Sequence, residues 1–270
     1  MQHTAPIMTP LRHLAILLIP LLLGACTTLP NGATNPQDPF ESFNRTMYKF
    51  NDDADKAIVK PVAQAYNKVM PVPARSMVGN FFSNLDDMLT VVNDVLQLKL
   101  VRAFTDTGRV LINTTIGIGG LVDAASQVGY EKHSEDFGQT LGYWGIGPGP
   151  YLVLPLLGPS NVRDGLSLYV DSQTSATHQV KHIPTRNQLT AGRMLNKRAQ
   201  LLDQEKTLDD MMLDRYAFIR DAYLQHRLSL VYDGNPPREK FDFEDDDLGD
   251  DGSDGAAAPQ ATPAPPATLP

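Results

Sequence analysis

The sequence predicts an all-α fold, one multi-helix domain over 38–235 between an N-terminal address and a non-globular tail. Three observations carry that expectation. Apolar residues recur at steps of three and four through most of the chain, the period of a helix face. The first hundred-odd residues show no apolar–polar alternation of the kind that marks a half-buried strand. Glycine and proline, which punctuate regular structure, crowd into 116–120 and 142–159.

Charge is unevenly placed in the 270 residues. The formal net charge is −8, of which 236–270 carries −7 through residues such as Glu239, Asp242 and Asp245–Asp247. The remaining body is close to neutral, which excludes the basic surface that a nucleic-acid partner requires. One cysteine, Cys26, excludes an internal disulfide framework. Residues 236–270 are acidic and then rich in alanine and proline, with too little apolar area to offset the entropy of ordering, so a disordered tail is expected.

The N-terminus reads as an export address. Arg12 precedes the apolar run Leu14–Leu23, interrupted only by Pro20. Ten residues are too few for a membrane-spanning helix, which needs about 20, and the pattern fits a signal peptide over 1–25. Leu23-Gly24-Ala25-Cys26 resembles the lipobox of bacterial lipoproteins, which makes Cys26 the expected lipidation site; the alternative is an ordinary signal peptide that leaves a free thiol. Thr27 after that cysteine, in place of aspartate, fits outer-membrane sorting. Residues 26–37 read as a tether.

The helices follow in order. Asp38-Pro39 reads as an N-cap followed by proline at the first helical position. Phe40, Phe43, Met47, Phe50, Ala54 and Ile58 then form one apolar stripe, facing either a core or acyl chains. Lys60-Pro61 opens a short helix to about Met70. Pro71 and Pro73 mark a turn before Ala74–Phe82. Asn84 is expected to cap a further helix with Leu85, Met88, Leu89, Val92, Val95 and Leu96 inward, and another begins near Leu98 with Val101, Phe104 and Leu111. Ile116-Gly117-Ile118-Gly119-Gly120-Leu121-Val122-Asp123 breaks the pattern and predicts a glycine-rich hairpin, or an element packed tightly on another backbone. Ser134 is the expected cap of a short helix to about Leu141. Glu135–Asp164, with the single tryptophan Trp144, reads as a buried irregular wall. Helical spacing returns at Asp164–Val170 and over 187–231, where Arg215, Arg220 and Arg227 with Asp214 and Asp221 read as solvated faces.

Catalytic and metal-binding patterns are weak. His178 and His182 stand four apart without the glutamate of a metalloprotease motif and without a third ligand. Gly158-Pro159-Ser160-Asn161-Val162 approaches a nucleophile elbow, but Val162 stands where its second glycine belongs, and Ser160 reads better as a helix cap. His133 near Glu135 and Asp136 could form an acid–base cluster, yet carboxylates at a helix start explain themselves. Neither a catalytic set, nor a metal site, nor a cofactor site is expected.

Several blocks in this order resemble the MlaA (VacJ) family of outer-membrane lipoproteins. They are Asp38-Pro39-Phe40-Glu41 with Phe43-Asn44-Arg45, Pro71-Val72-Pro73-Ala74-Arg75, the run from Asn113 to Asp123, Glu135–Asp164, and Asp214-Arg215-Tyr216 with Arg220-Asp221-Ala222-Tyr223. The resemblance implies a ring-like domain in the inner leaflet of the outer membrane. Its central channel would take mislocalised phospholipids from the outer leaflet toward the periplasm. It further implies an outer-membrane porin trimer as a partner and a periplasmic phospholipid carrier that feeds an inner-membrane ABC transporter. Carried over, Phe43, Asn44 and the segment Ile116, Gly117, Ile118, Gly119, Gly120, Leu121, Val122 and Asp123 are the channel or gating candidates. The competing expectations are a porin-associated scaffolding lipoprotein and a lipid hydrolase.

Overall fold

A computed structural model describes residues 35–209 and 214–237. The signal segment, Cys26, most of the tether, the tail beyond Pro237, Met211 and Met212 lie outside the described residues. The described chain is helical apart from one two-stranded sheet.

Helix α1 (Glu41–Ala54) passes through one π-helical turn, Asp55–Val59, into α2 (Lys60–Val69). Pro61 at the start of α2 removes an amide donor, and the widened turn just before it accommodates the ring without ending the helix. The next element differs from expectation. Helix α3 is continuous over Val72–Leu96, with Pro71 as its N-cap residue and Pro73 inside its first turn. Asn84 therefore caps nothing; it lies mid-helix, buried, and its Nδ2 donates to Thr114 Oγ1 at 3.0 Å.

Helix α4 (Leu100–Thr115) packs along α3, and α5 (Ala124–Gln127) and α6 (Phe137–Tyr143) follow. Strands β1 (Tyr151–Leu154) and β2 (Gly158–Asn161) pair antiparallel, with Tyr151 opposite Asn161 and Leu154 opposite Gly158. Three longer helices complete the described chain: α7 (Val162–Thr174), α8 (Ile183–Asp209) and α9 (Arg215–Val231). Side-chain caps start four of these helices: Asp123 accepts from Ser126 N, Asp136 from Gln139 N, Asn161 from Asp164 N, and Asp214 from Ala217 N. Ser134 and Ser160 are thus not the caps; Asp136 and Asn161 are.

Three further expectations are corrected. Asp38 does not cap α1, which has no side-chain cap; its carboxylate is buried and accepts from Asn44, Tyr216 and Arg220. The wall at 142–159 is only partly buried, since Tyr143, Trp144, Ile146, Leu156 and Leu157 are exposed while Tyr151 and Val153 are not. Segment 116–123 reverses the chain through turns, not paired strands. Its amides at Gly120 and Val122 donate to Asn113 O and Gly117 O at 2.8 and 2.9 Å, so the tightly packed alternative is the one observed.

Packing passes from element to element in a closed circuit. β1 contacts α1, β2 contacts α9, α9 contacts α6, α6 contacts α3, α3 contacts α8, and α8 contacts α2, which returns through the π turn to α1. Two small apolar clusters lie on it. Ala63, Ala199 and Leu202 lock α2 to α8, with Tyr66 and Leu195 beside them. Tyr151, Val153 and Tyr216 join β1 to α9, the Tyr48 and Tyr151 rings meeting Tyr216 edge-on at 5.8 and 6.3 Å.

Candidate functional site

Burial in this chain is inverted relative to a water-soluble helical protein. On α3 the inward positions are Asn84, Asp87, Thr90, Asn93 and Asp94, while Val92 is 53 % exposed and Val95 48 %. On α4 the inward positions are Asp106, Arg109 and Asn113, while Val101 and Phe104 are each 83 % exposed. The α1 stripe behaves likewise: Phe50 and Ile58 are exposed, Phe43 is half-buried, and the buried residue is Asn44. Helical period chose the faces correctly, but the polar face points inward.

The interior is a hydrogen-bonded network. Gln97 Nε2 donates to Glu135 Oε2 at 2.9 Å and to Thr140 Oγ1 at 3.1 Å, and Thr140 Oγ1 donates to Asn93 Oδ1 at 2.8 Å. Lys99 bridges Glu135 and Asp233 at 3.1 and 2.6 Å, tying the start of α4 to the end of α9. Short amides, hydroxyls and carboxylates are suited to this because they satisfy one another, where an unpaired buried polar group would cost roughly 1–3 kcal/mol.

Among the described residues a few buried atoms lack a partner, Asp87 Oδ2, Arg109 Nε and Tyr151 Oη among them, and Asp94 is the case in which both oxygens do. It is fully buried and neither carboxylate oxygen has a hydrogen-bond donor. Burial, with Asp106 and Glu135 nearby, pushes its pKa up to about 7 against the opposing pull of Lys99. A folded pKa above the unfolded value means that its contribution is fully present below about pH 4 and is lost as pH rises through about 7. Asp94→Asn should therefore raise the unfolding free energy by about 1–3 kcal/mol at pH 8 and by much less at pH 4. Denaturant titrations at the two pH values check this.

Two cavities of different character lie on adjacent faces of α8. One, of about 430 Å³, is polar and bounded by α3, α8 and the loop before α6, with Asp86, Lys132, Arg193, Asn196 and Lys197 on its walls. The other, of about 480 Å³, is mainly apolar, with Tyr48, Val153, Leu201, Phe218 and Ile219 facing it. A third, of about 500 Å³, lies under the glycine- and proline-rich stretch at Gly145–Pro150 against Leu224 and Leu228 of α9.

The gating candidates occupy two separate places. Asn44 Nδ2 donates to Asp38 Oδ1 at 2.8 Å and Tyr151 O at 3.1 Å, and its Oδ1 accepts from Val153 N at 2.8 Å. It is a strut between α1 and β1. The 116–123 turn lies against α3 instead: Gly120 abuts Asn84, and Leu121 O accepts from Asn80 Nδ2 at 3.1 Å. Ile116 and Ile118 project outward, 71 % and 68 % exposed, and Val122 is exposed as well. Asp123 closes the turn: burial raises its pKa, but bonds from Ser126 and Asn113 and the charge of Arg109 outweigh this and hold it at about 2.

The hydrolase candidates are dispersed. Ser160 Oγ donates to the Asn161 carbonyl at 3.3 Å, whereas His133 Nδ1 pairs with Asp106 at 3.0 Å. Glu135 and Asp136 belong to other pairs, with Lys99 and with Arg227. His178 lies in a turn after α7 and His182 Nδ1 pairs with Thr185 Oγ1, so they do not share a helix face; no metal-holding cluster occurs among the described residues. Sequence reading missed the cations of the polar cavity. Arg193 and Lys197, four apart on an expected helix, were the available signal.

The family model described as MlaA lipoprotein matches residues 36–229. The chain belongs to the MlaA lipoprotein family. An uncharacterized protein of Rickettsia bellii (strain RML369-C) is 36 % identical over 202 residues, covering 74 % of this chain and 79 % of that one. The Escherichia coli (strain K12) protein named intermembrane phospholipid transport system lipoprotein MlaA is 34 % identical over 227 residues, with 80 % and 86 % covered. A solved structure reported under the words "Structural basis for maintenance of bacterial outer membrane lipid asymmetry" superposes with a TM-score of 0.64 at 33 % identity, covering 72 % of this chain and 98 % of that chain. The all-α reading of the sequence and its MlaA resemblance therefore both hold.

Proposed function

We propose that this MlaA-family chain lies in the inner leaflet of the outer membrane, anchored by lipidated Cys26, and passes mislocalised phospholipids through its interior toward the periplasm. The inverted burial carries the reading. Val101, Phe104, Leu111, Ile116 and Ile118 lie together on α4 and the turn after it, and with Leu98 and Leu100 they would release on the order of 10 kcal/mol on entering acyl chains. Among the described residues no helix is long and apolar enough to cross a membrane, which fits immersion in one leaflet. The inside supplies what a headgroup needs, because a charged group meets a prohibitive desolvation cost in hydrocarbon and a modest one among hydrogen-bonding side chains.

The closed packing circuit would surround the passage, and the 116–123 turn, with two isoleucines in the acyl layer, would serve as a gate on α3, with Phe43 and Asn44 as a second gating element on α1. The names of the E. coli relative and of the solved structure support phospholipid as cargo and lipid asymmetry as outcome. The porin trimer and the periplasmic carrier with its ABC transporter belong to the same reading. The domain bounds 38–235 and the tether are proposed with it.

A photoreactive phospholipid in vesicles holding the lipidated protein tests this. Crosslinks are expected at two sets of positions, on the outside set Val101 and Phe104 and in the apolar cavity at Leu201 and Phe218. Labelling confined to the outside set would favour a porin-associated scaffold and refute the passage.

A further inference from the structure

The polar cavity carries more charge than its own pairing uses. Lys132 Nζ is held by Ser83 Oγ at 2.6 Å and by Asp87, and Arg193 Nη2 pairs with Asp86 Oδ2 at 2.8 Å. Lys197, one turn along α8 from Arg193, has no carboxylate within ion-pair distance among the described residues, acts on Asp86 only through space, and stands exposed at the wall. Three cations against two carboxylates leave the cavity an excess of positive charge. Its volume of about 430 Å³ falls in the range of small-molecule sites, and Ser83 and Ser134 add hydroxyls to its lining, whereas Ser76 Oγ and the Asn196 amide are already spent on Val72 O and on Tyr66 Oη and Arg75 O. Charged and neutral donors converging in one concave space are the chemistry that holds a phosphate.

We infer that this cavity binds the phosphodiester of a lipid headgroup, with the Lys197 ammonium and the Arg193 guanidinium as its principal contacts. Arg193 and Asp86 are both partly exposed, so the exchange of Asp86 for a phosphate oxygen on the guanidinium needs no buried charge to be uncovered. The inference rests on the phospholipid-passage reading and names the group that the interior recognises.

The test uses the full-length lipidated protein in detergent, titrated with dihexanoyl phosphatidylethanolamine, with dihexanoylglycerol, which lacks the phosphate, and with inorganic phosphate. The phospholipid should bind more tightly than either control. Lys197→Glu, at an exposed position that folding does not need, should weaken it about tenfold or more, and Lys197→Arg should restore it. Binding of the phospholipid by the glutamate variant within twofold of the parent would overturn the inference. Equal affinity for inorganic phosphate would also overturn it, by making this a free-anion site. A folded parent protein that bound neither the phospholipid nor the diacylglycerol would remove the passage reading itself, which separates the two failures.

Discussion

Arg227→Ala should destabilise the folded chain by about 3–5 kcal/mol, the largest loss expected from one side chain. Arg227 is the hub that ties α9 to the starts of two other helices. Its Nη1 and Nη2 donate to the two oxygens of Asp136, the α6 cap, at 2.5 and 2.9 Å, and its Nε donates to Asp164 Oδ2 in the first turn of α7 at 2.8 Å. Asp164 is buried and also accepts from Asn161, Tyr223 and Arg163. Burial raises the pKa values of Asp136 and Asp164, but bonds and charge from Arg227 outweigh it and hold both below the usual carboxylate range. Depressed values contribute stability that is present above about pH 4 and lost as pH falls through the folded pKa values. Without Arg227 the same carboxylates would be buried with too little positive charge, so their pKa values would rise and the sign would reverse. The gap between parent and variant should accordingly be widest at neutral pH and narrow toward pH 3. Denaturant unfolding in detergent across that range measures it, and a gap that stayed constant with pH would show that lost packing, not charge, was responsible.

Much of this architecture was legible because helical period survives any environment. α2, α4 and α7 appear where the apolar spacing placed them, α6 appears near the expected short helix but is capped by Asp136 and not Ser134, and the 187–231 region resolves into α8 and α9. What spacing cannot carry is which face points inward. Leu85, Met88, Val92 and Val95 mark one side of α3 clearly, but the same period is kept by Asn84, Asp87, Thr90, Asn93, Asp94 and Gln97 opposite. The usable clue was side-chain length: short amides, hydroxyls and carboxylates bond to one another in a confined interior, whereas solvated faces favour lysine, glutamate and arginine. Asp38 shows a different limit. Its position before proline imitates a cap, yet its partners Tyr216 and Arg220 are 178 and 182 residues away, and no local pattern signals a bond of that span. The solvated reading of Arg220 and Arg227 failed for the same reason, because the carboxylates that draw them inward come from distant segments.

Within the 116–123 turn the three glycines should respond very differently to a single methyl group. A Cβ on Gly117 would sit 2.1 Å from Val122 O and 2.4 Å from Asn113 O, distances at which backbone must move. Those carbonyls belong to the turn and to the end of α4, and the amides of Gly117 and Gly120 are bonded to Ile112 O and Asn113 O of α4 and that of Val122 to Gly117 O, so the displacement would spread through the turn and the end of α4. Gly117→Ala should therefore cost about 3 kcal/mol or more and break the turn. Gly120→Ala combines a positive φ of 88° with a contact of 2.7 Å to Asn84, and should also disturb the seam between the turn and α3. Gly119 has open space around it and only its φ of 68° to oppose a side chain, so Gly119→Ala should cost about 1 kcal/mol and leave the turn in place. This ordering separates a gate from a fixed support. If the turn gates lipid passage, the well-folded Gly119 variant should alter phospholipid levels in the outer leaflet while its stability barely changes, because the stiffened residue restricts motion without removing a contact. If the turn only braces α3 and α4, lipid asymmetry should follow stability instead, failing with Gly117→Ala and staying intact with Gly119→Ala. Outer-leaflet phospholipid labelling in cells carrying each variant, read beside unfolding of the purified proteins, decides between them.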